Sequence, residues 1–408
     1  MNRCLRLTSS SVYSSSLKTK AWQAPSVLFS MAEGVVGSSS ELDFRNKVVL
    51  APMVRMGTLP LRMLARQHGA DMVWTEELID RSVLNTERIV NDELGTIDFV
   101  RPLPELMSKK QQRTYDERGP QVIFRTCAAE RPVVFQLGTA NADLALQAAQ
   151  RVAKDVSAIE VNMGCPKHFS LSGGMGAALL SAPENAKQIL TTLKRNLSLP
   201  ITCKIRMLST VADTIDFCRM VQECGVSAIT VHARNIAERP RDPARWKDLA
   251  PVFSAISVPT IANGDVFCFA DIQRIKDETG CDSVMIGRGA YRNLDIWSDV
   301  EPIHPLIAMK EYLVTAQRWQ NTWKNTKYAL TRISGGGLTG GTPKFAPTLF
   351  QAKTAAEANA LIDDELKTLK LYECYKRRAT GGHSSSSSSS SSTASEEERA
   401  EKKAKLEK

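Results

Sequence analysis

The chain has 408 residues, 43% of them hydrophobic, and a formal net charge of +9 at pH 7. That length and apolar content suffice for one large globular domain plus a smaller one, and no stretch is long and apolar enough to span a bilayer. Nine cysteines without a C-x-x-C pair exclude the common zinc frameworks and fit a reducing compartment, while the positive charge admits a polyanionic partner without naming it.

Residues 1–30 carry Arg3, Arg6, Lys18 and Lys20, many serines and no acid before Glu33. That is the composition of a mitochondrial transit peptide and equally of an unstructured N-terminus. Met31 offers a second start site. Residues 1–40 are therefore read as a targeting or disordered segment outside the fold. The expected location is the cytoplasm, with a mitochondrial form if residues 1–30 act as a presequence.

From residue 41 the chain repeats one pattern, a short β-branched run ending in a polar or glycine-bearing turn, followed by a helical stretch. Eight runs recur: Val48 to Met53, Met72 to Leu78, Val133 to Gly138, Ala158 to Gly164, Ile201 to Met207, Ala228 to Arg234, Pro259 to Val266 and Ser283 to Gly289. Runs apolar along their whole length are buried on both faces, as in parallel strands covered by helices. Helices are expected over Asn141 to Ala153, Pro183 to Asn196, Val211 to Cys224 and Cys268 to Thr279. Eight strands alternating with helices over residues 41–302 predict an α/β fold, a TIM (β/α)8 barrel. A doubly wound sheet would carry an early Gly-x-Gly-x-x-Gly turn, and Val54-Arg55-Met56-Gly57-Thr58 is no such turn. The connection from Asp80 to Pro132 is unusually long, with a polar piece around Ser108 to Arg118, either an insertion on the active-site rim or an exposed loop.

In such a barrel the chemistry collects at the C-terminal ends of the strands. The residues there are Pro52 and Met53, Glu76 and Glu77, Gln136, Asn162 and Cys165, Lys204 and Arg206, His232 and Arg234, Asn263-Gly264-Asp265, and Gly287-Arg288-Gly289. Cys165 stands between Gly164 and Pro166, which fix an irregular backbone and present its thiol on a loop as a nucleophile, a metal ligand or an acid. Lys204, inside an apolar strand, needs an anion: either an ion pair with Glu160 or a negatively charged cofactor. The glycine turns after strands seven and eight, with Arg288 beside the second, suit a phosphate, although each alone reads equally as a tight turn. Gln136 both donates and accepts, which suits a ring of mixed polar edges or a buried backbone contact.

Residues 303–380 hold twelve Lys or Arg against six Asp or Glu up to residue 378. Arg318, Lys324, Lys327 and Arg332 recur on what reads as one helix, whose other side carries Leu313, Trp319, Trp323 and Leu330. This is a basic helical domain, with the loop between its helices at Gly335 to Gly341. Beyond Gly381 and Gly382 a serine run from 384 to 392 and a charged segment read as linker and disordered tail over 381–408.

Taken in order, Ala51-Pro52-Met53, Phe135-Gln136-Leu137-Gly138, Val161 to Lys167, Gly173 to Leu180, Lys204-Ile205-Arg206, Val231 to Arg234 and Ile261 to Asp265 resemble the tRNA-dihydrouridine synthases. The resemblance runs from about residue 47 to about 375. Glu76-Glu77-Leu78-Ile79-Asp80 and Cys165-Pro166-Lys167 resemble most the eukaryotic branch that modifies position 20 of the D-loop. Two departures stand out: Glu160 occupies a position where the family more often has aspartate, and no double-stranded-RNA-binding module is visible after residue 380.

The resemblance implies an FMN enzyme that reduces the C5–C6 double bond of a uridine in tRNA with NADPH or NADH. FMN is then held by Pro52, Met53, Val54, Glu77, Gln136, Lys204, His232, Asn263, Gly264, Asp265, Gly287 and Arg288. Lys204 would lie near the flavin N1 and carbonyl, His232 and Arg288 at the phosphate end. Asn162, Arg206, Arg318, Lys324, Lys327 and Arg332 would contact substrate. A free thiol, with pKa about 8.5, is largely protonated at neutral pH, so Cys165 becomes the acid that protonates C5. A monomer without membrane or metal is expected. Two other readings remain: a flavin barrel acting on a free pyrimidine, and a tRNA-binding protein that has lost catalysis.

Overall fold

A computed structural model describes residues 42–102, 121–335, 349 and 351–380. The expected presequence, the polar piece at 108–118, most of the 335–341 loop and the 381–408 tail lie outside the described residues. Two units are present, one ending at Tyr372 and one whose described part is residues 373–380.

The first unit has twelve strands in chain order. These are β1 (Val48–Leu50), β2 (Met72–Trp74), β3 (Leu78–Ile79), β4 (Glu87–Asn91), β5 (Thr96–Val100), β6 (Val122–Thr126), β7 (Val133–Gly138), β8 (Ala158–Met163), β9 (Ile201–Met207), β10 (Ala228–Asn235), β11 (Thr260–Asn263) and β12 (Ser283–Ile286). β2, β1, β12, β11, β10, β9, β8 and β7 pair in that order, all parallel, and the β2–β7 pairing closes the ring. The eight apolar runs thus form the eight staves of a TIM-type barrel, each buried within and without. Trp74, Ala158, Ala228, Ile261 and Met285 meet in one buried cluster with Phe44. Phe44 packs edge-on against Trp74, with ring centroids 6.5 Å apart, and its carbonyl accepts from Ser283 Oγ.

The helices follow their caps. Helix α1 (Leu59–Gln67) carries Pro60 in its first turn, and the short α2 (Asp80–Leu84) follows β3. Asn141 caps α3 (Ala142–Val152) by accepting from Leu144 N. The short α4 (His168–Ser172) follows Cys165, and α5 (Pro183–Asn196) starts on its proline. Thr210 and Asp213 form a capping box for α6 (Val211–Glu223), beyond which lies α7 (Leu249–Ser254). Gly280, at φ +66°, ends α8 (Phe269–Thr279) in the left-handed conformation that glycine adopts without strain.

The second predicted run differs from expectation in one instructive place. Its ladder breaks at Thr75–Glu77, because the Thr75 hydroxyl takes the Gln136 amide hydrogen bond (2.9 Å), and pairing with β7 resumes only at β3. The break turns Glu77 toward the barrel mouth. The long second connection is an insertion with its own antiparallel sheet, β4-β5-β6. Phe124 on that sheet packs edge-on against Phe135 of the barrel. Buried Arg62 ties insertion to barrel, donating to Glu130 (2.6 and 3.0 Å), Gly57 O and Arg125 O.

After β12 come the short α9 (Arg288–Arg292), then α10 (Pro305–Arg318), α11 (Trp323–Ser334), α12 (Ala355–Thr368) and α13 (Tyr372–Ala379). The single helix expected to carry Arg318 through Arg332 is two helices. Gln320 adopts φ +47°, Asn321 N bonds Ala316 O, and Trp319 is buried with Leu59, Met63 and Cys127 on the barrel side. In the second unit the end of α13 carries Lys376, Arg377 and Arg378, with Lys376 paired to Glu373 at 2.9 Å.

His68, at the end of α1, holds the barrel to α10. Its Nδ1 lies 2.6 Å from Asp295 and its Nε2 3.3 Å from Glu311. Burial alone would lower the imidazole pKa, but the two carboxylates outweigh it and raise it to about 9. A pKa raised in the folded state contributes stability that is complete below the unfolded value of about 6.5 and vanishes as pH climbs through the folded value. The contribution is on the order of 3 kcal/mol. His68→Asn should therefore lower the urea midpoint clearly at pH 6, and by much less at pH 10. An equal loss at both pH values would show that the charge of His68 contributes nothing.

Candidate active site

The C-terminal ends of the strands surround one cavity of about 300 Å³, the size of a small-ligand site. The twelve residues assigned to the cofactor, Pro52, Met53, Val54, Glu77, Gln136, Lys204, His232, Asn263, Gly264, Asp265, Gly287 and Arg288, line it together with Asn162, Cys165, Arg206 and Arg234, whereas Glu76 and Gly289, also expected at the strand ends, do not. Arg318, Lys324, Lys327 and Arg332 do not reach it.

Cys165 is held from several sides. Asn162 Oδ1 accepts from the amides of Gly164 (2.9 Å) and Cys165 (3.2 Å), so this side chain shapes the turn. Arg206 Nε donates to Gly164 O (2.9 Å), and Ala177 N donates to Cys165 O (3.0 Å). Gly176 sits beneath the loop at φ +59°, where a Cβ would lie 2.8 Å from Cys165 O. The resulting thiol is half-buried on the cavity wall.

Glu77 faces this thiol. Burial raises its pKa, opposed by the Asn162 and Cys165 side chains and then by Lys167. Its Oε1 is buried without a hydrogen-bond partner among the described residues, in space left open by Gly138, where a Cβ would come within 2.7 Å.

Lys204 is tied by its Nζ to Asn263 Oδ1 (3.0 Å), not to Glu160 as the simple ion pair required, and Asn263 is fixed in turn through Met285 O (2.8 Å). Glu160 accepts from Gln136 Nε2 (2.8 Å), and its Oε2, near the Trp74 indole, has no hydrogen bond of good geometry among the described residues. The two charges still act on each other. Burial raises the Glu160 pKa, offset by Lys204, and burial lowers the Lys204 pKa, offset by Glu160.

At the opposite side Asp265 receives two guanidinium groups, Arg288 Nη2 at 2.7 Å and Arg234 Nη2, as well as Ala244 N (2.8 Å). Its carboxylate is fully engaged, so it buttresses the arginines while its backbone, at φ +53°, shapes the turn. Two arginines against one acid leave a net positive pole. His232 is held neutral: burial first, then Lys204, Arg206, Arg234 and Arg288, push its pKa well below the usual value. Its Nε2 lies 3.1 Å from Arg234 Nη1, which can only donate, so this nitrogen accepts.

A sequence profile of the family described as Dihydrouridine synthase (Dus) matches residues 49–331. The chain belongs to this family. An NAD(P)+ tRNA-dihydrouridine(20) synthase from Schizosaccharomyces pombe is 36% identical over 337 residues, 80% of this chain and 67% of that protein. One from Saccharomyces cerevisiae is 36% identical over 310 residues, 72% of this chain and 78% of that protein. A mouse protein, tRNA-dihydrouridine(20a/20b) synthase-like, is 29% identical over 62% of this chain and 69% of its own length.

Beyond the motifs shared with dihydrouridine synthases, the cavity includes residues to which the sequence alone gave no role, although Arg234 already stood among the strand ends. Lys167 and Arg239 add two cations to its wall, and Arg234, 2% exposed, stands beside Arg288. Arg234 carried a signal, two residues after His232 on one strand and hence on the same side (period two). Arg239 carried none, since it lies in a loop that only the fold brings to the mouth. Among the four distal cations, Lys324 and Arg332 are exposed, Arg332 stacked over Tyr328 at 5.0 Å. Lys327 Nζ donates to Ala352 O (2.8 Å), and Arg318 lies over Trp319. Among the described residues no three His, Cys, Asp or Glu side chains are grouped to hold a metal, and no helix is long and apolar enough to cross a membrane.

Proposed function

We propose that this chain is an FMN-dependent tRNA-dihydrouridine synthase that reduces the C5–C6 double bond of a D-loop uridine at position 20, using NADPH or NADH. The observation that carries the reading is the gathering of one thiol, one half-buried lysine and an arginine pair around a single cavity in a chain of this family.

The residues fit FMN. A buried Glu77 oxygen with no hydrogen bond among the described residues accompanies the polar ends of Gln136 and Lys204 on the cavity wall, suiting a ring with mixed polar edges. The positive pole of Arg234 and Arg288, beside the Gly264 turn, suits a phosphate. Gly264 is at φ +129°, and a Cβ there would come within 3.1 Å of His232. FMN bound in reduced form would supply a hydride for C6. Lys204, on the cavity wall, would hold positive charge beside the reduced ring. Neutral His232 accepts from Arg234 and keeps that guanidinium aimed at the phosphate end. Cys165 gives its S–H proton to C5, and the Asn162 turn holds the thiol at that position.

A uridine stacked in folded tRNA cannot lie flat over this cavity, so the base must be extruded into it. Lys167 and Arg239 on the wall and the basic helices α10 and α11 supply phosphate contacts. Neutralising Arg318, Lys324, Lys327 and Arg332 together should weaken tRNA binding about 10- to 100-fold at moderate salt and flatten the log Kd against log salt slope by about three. Filter binding over a salt series reads both, and an unchanged slope removes this face from the proposal.

The reaction itself is tested by following NADPH oxidation by flavin-loaded protein with unmodified tRNA, free uridine or orotate as acceptor. Turnover with tRNA alone is expected. Turnover with a free pyrimidine alone would assign a small-molecule enzyme, and tRNA binding without flavin or turnover a binding protein.

A further inference from the structure

Five residues after Cys165, Ser170 sits in α4 with 2% exposure. Its hydroxyl lies 3.3 Å from Cys165 Sγ as the donor, and this is its one hydrogen bond among the described residues. The loop is folded to make the contact. Met175 N bonds Ser170 O (2.8 Å) while Ala177 N bonds Cys165 O. Between them Gly176 leaves only the space its missing Cβ would fill, 3.1 Å from Ser170 Cβ and 3.0 Å from Cys165 Cβ. A larger residue at 176 would separate the two side chains.

The direction of the bond matters. A sulfur that accepts from serine can still donate its own S–H, toward the Glu77 carboxyl or toward substrate in the cavity, and a buried hydroxyl already aimed at the sulfur needs no reorganisation when charge appears there. We propose that Ser170 is a positioning residue for Cys165, fixing the thiol toward substrate C5 and donating to the thiolate left when the proton departs. As the S–H bond breaks, the electron pair at C5 takes the proton to form the C5–H bond, and the charge remains on sulfur. Serine transfers nothing. Its O–H···S bond becomes charge-assisted, and the thiolate recovers a proton from solvent.

The inference rests on the dihydrouridine synthase reading for its catalytic consequence, but not for the contact itself. Other charged groups face Cys165: Glu77 from the interrupted second strand, Lys204 and Arg206 from β9, and Lys167 from its own loop. They are the same in every variant, so only differences from wild type count.

The test compares flavin-loaded wild type, Ser170→Ala and Ser170→Thr. Iodoacetamide alkylation of the Cys165 peptide is followed by mass spectrometry across pH, beside single-turnover reduction of tRNA. In Ser170→Ala, alkylation near neutral pH is expected to fall about tenfold, its midpoint moving to higher pH, and the reduction rate to fall about tenfold, with KM and flavin content unchanged. Ser170→Thr, which keeps the hydroxyl, should recover most of both. An alkylation profile in Ser170→Ala identical to wild type overturns the proposal, including when activity falls together with flavin content, which would mark a merely structural serine. If wild type reduces no tRNA, the enzymatic reading fails, while the alkylation shift still decides the Ser170 contact.

Discussion

Cys165→Ala is expected to lower the rate of tRNA reduction about 100- to 10,000-fold, the range removed with a positioned general acid, while flavin content and tRNA affinity change by no more than a few-fold. The selectivity follows from where the residue sits. Its backbone is held by Asn162 Oδ1 and Ala177 N, neither of which depends on the sulfur, so truncation removes Sγ and leaves the loop in place. Single-turnover kinetics after pre-reduction of the flavin isolates the chemical step. Loss of flavin in this variant, or a rate near that of wild type, would remove Cys165 from the role of acid.

Lys204→Met should act on the cofactor instead. Methionine nearly matches the lysine stem, so the packing of β9 is retained, but Asn263 Oδ1 loses its donor and Glu160 loses a cation that offsets its burial. Removing one member of a buried charge pair typically costs several kcal/mol, and flavin affinity is expected to fall on the order of 100-fold. Titration of apoprotein with FMN measures this. The double variant Lys204→Met with Glu160→Gln should regain stability, because no lone charge is left buried, without regaining flavin affinity. Recovery of both would show that Lys204 serves only Glu160.

Much of the barrel was readable because its strands are buried on both faces. Apolar runs such as Val133 to Gly138 and Ile201 to Met207 match the observed β7 and β9 residue for residue. Helix starts were legible where a cap or proline marks them, as at Asn141, Thr210 and Pro183. The mouth of the barrel followed from strand ends, and the cavity gathers those residues except Glu76 and Gly289.

What escaped the sequence depended on long-range contacts. The break at Thr75–Glu77 arises from a hydroxyl on one strand taking the amide of another, which no local pattern records. The sheet β4-β5-β6 pairs short strands across the second connection, and their pattern carries too little alternation to distinguish them from loop. The division of the basic helix rests on Gln320 in a left-handed conformation, a state for which glutamine gives no signal. Ser170 and Arg239 became visible only when loops folded back over the mouth.

The central claim, reduction of a specific uridine in tRNA, is met most directly by mass-spectrometric mapping of an unmodified tRNA incubated with flavin-loaded protein and NADPH. The account predicts a mass gain of two hydrogens confined to one D-loop fragment, at position 20, and dependent on both NADPH and folded tRNA. A tRNA left without dihydrouridine while the same preparation oxidises NADPH on a free pyrimidine would contradict it.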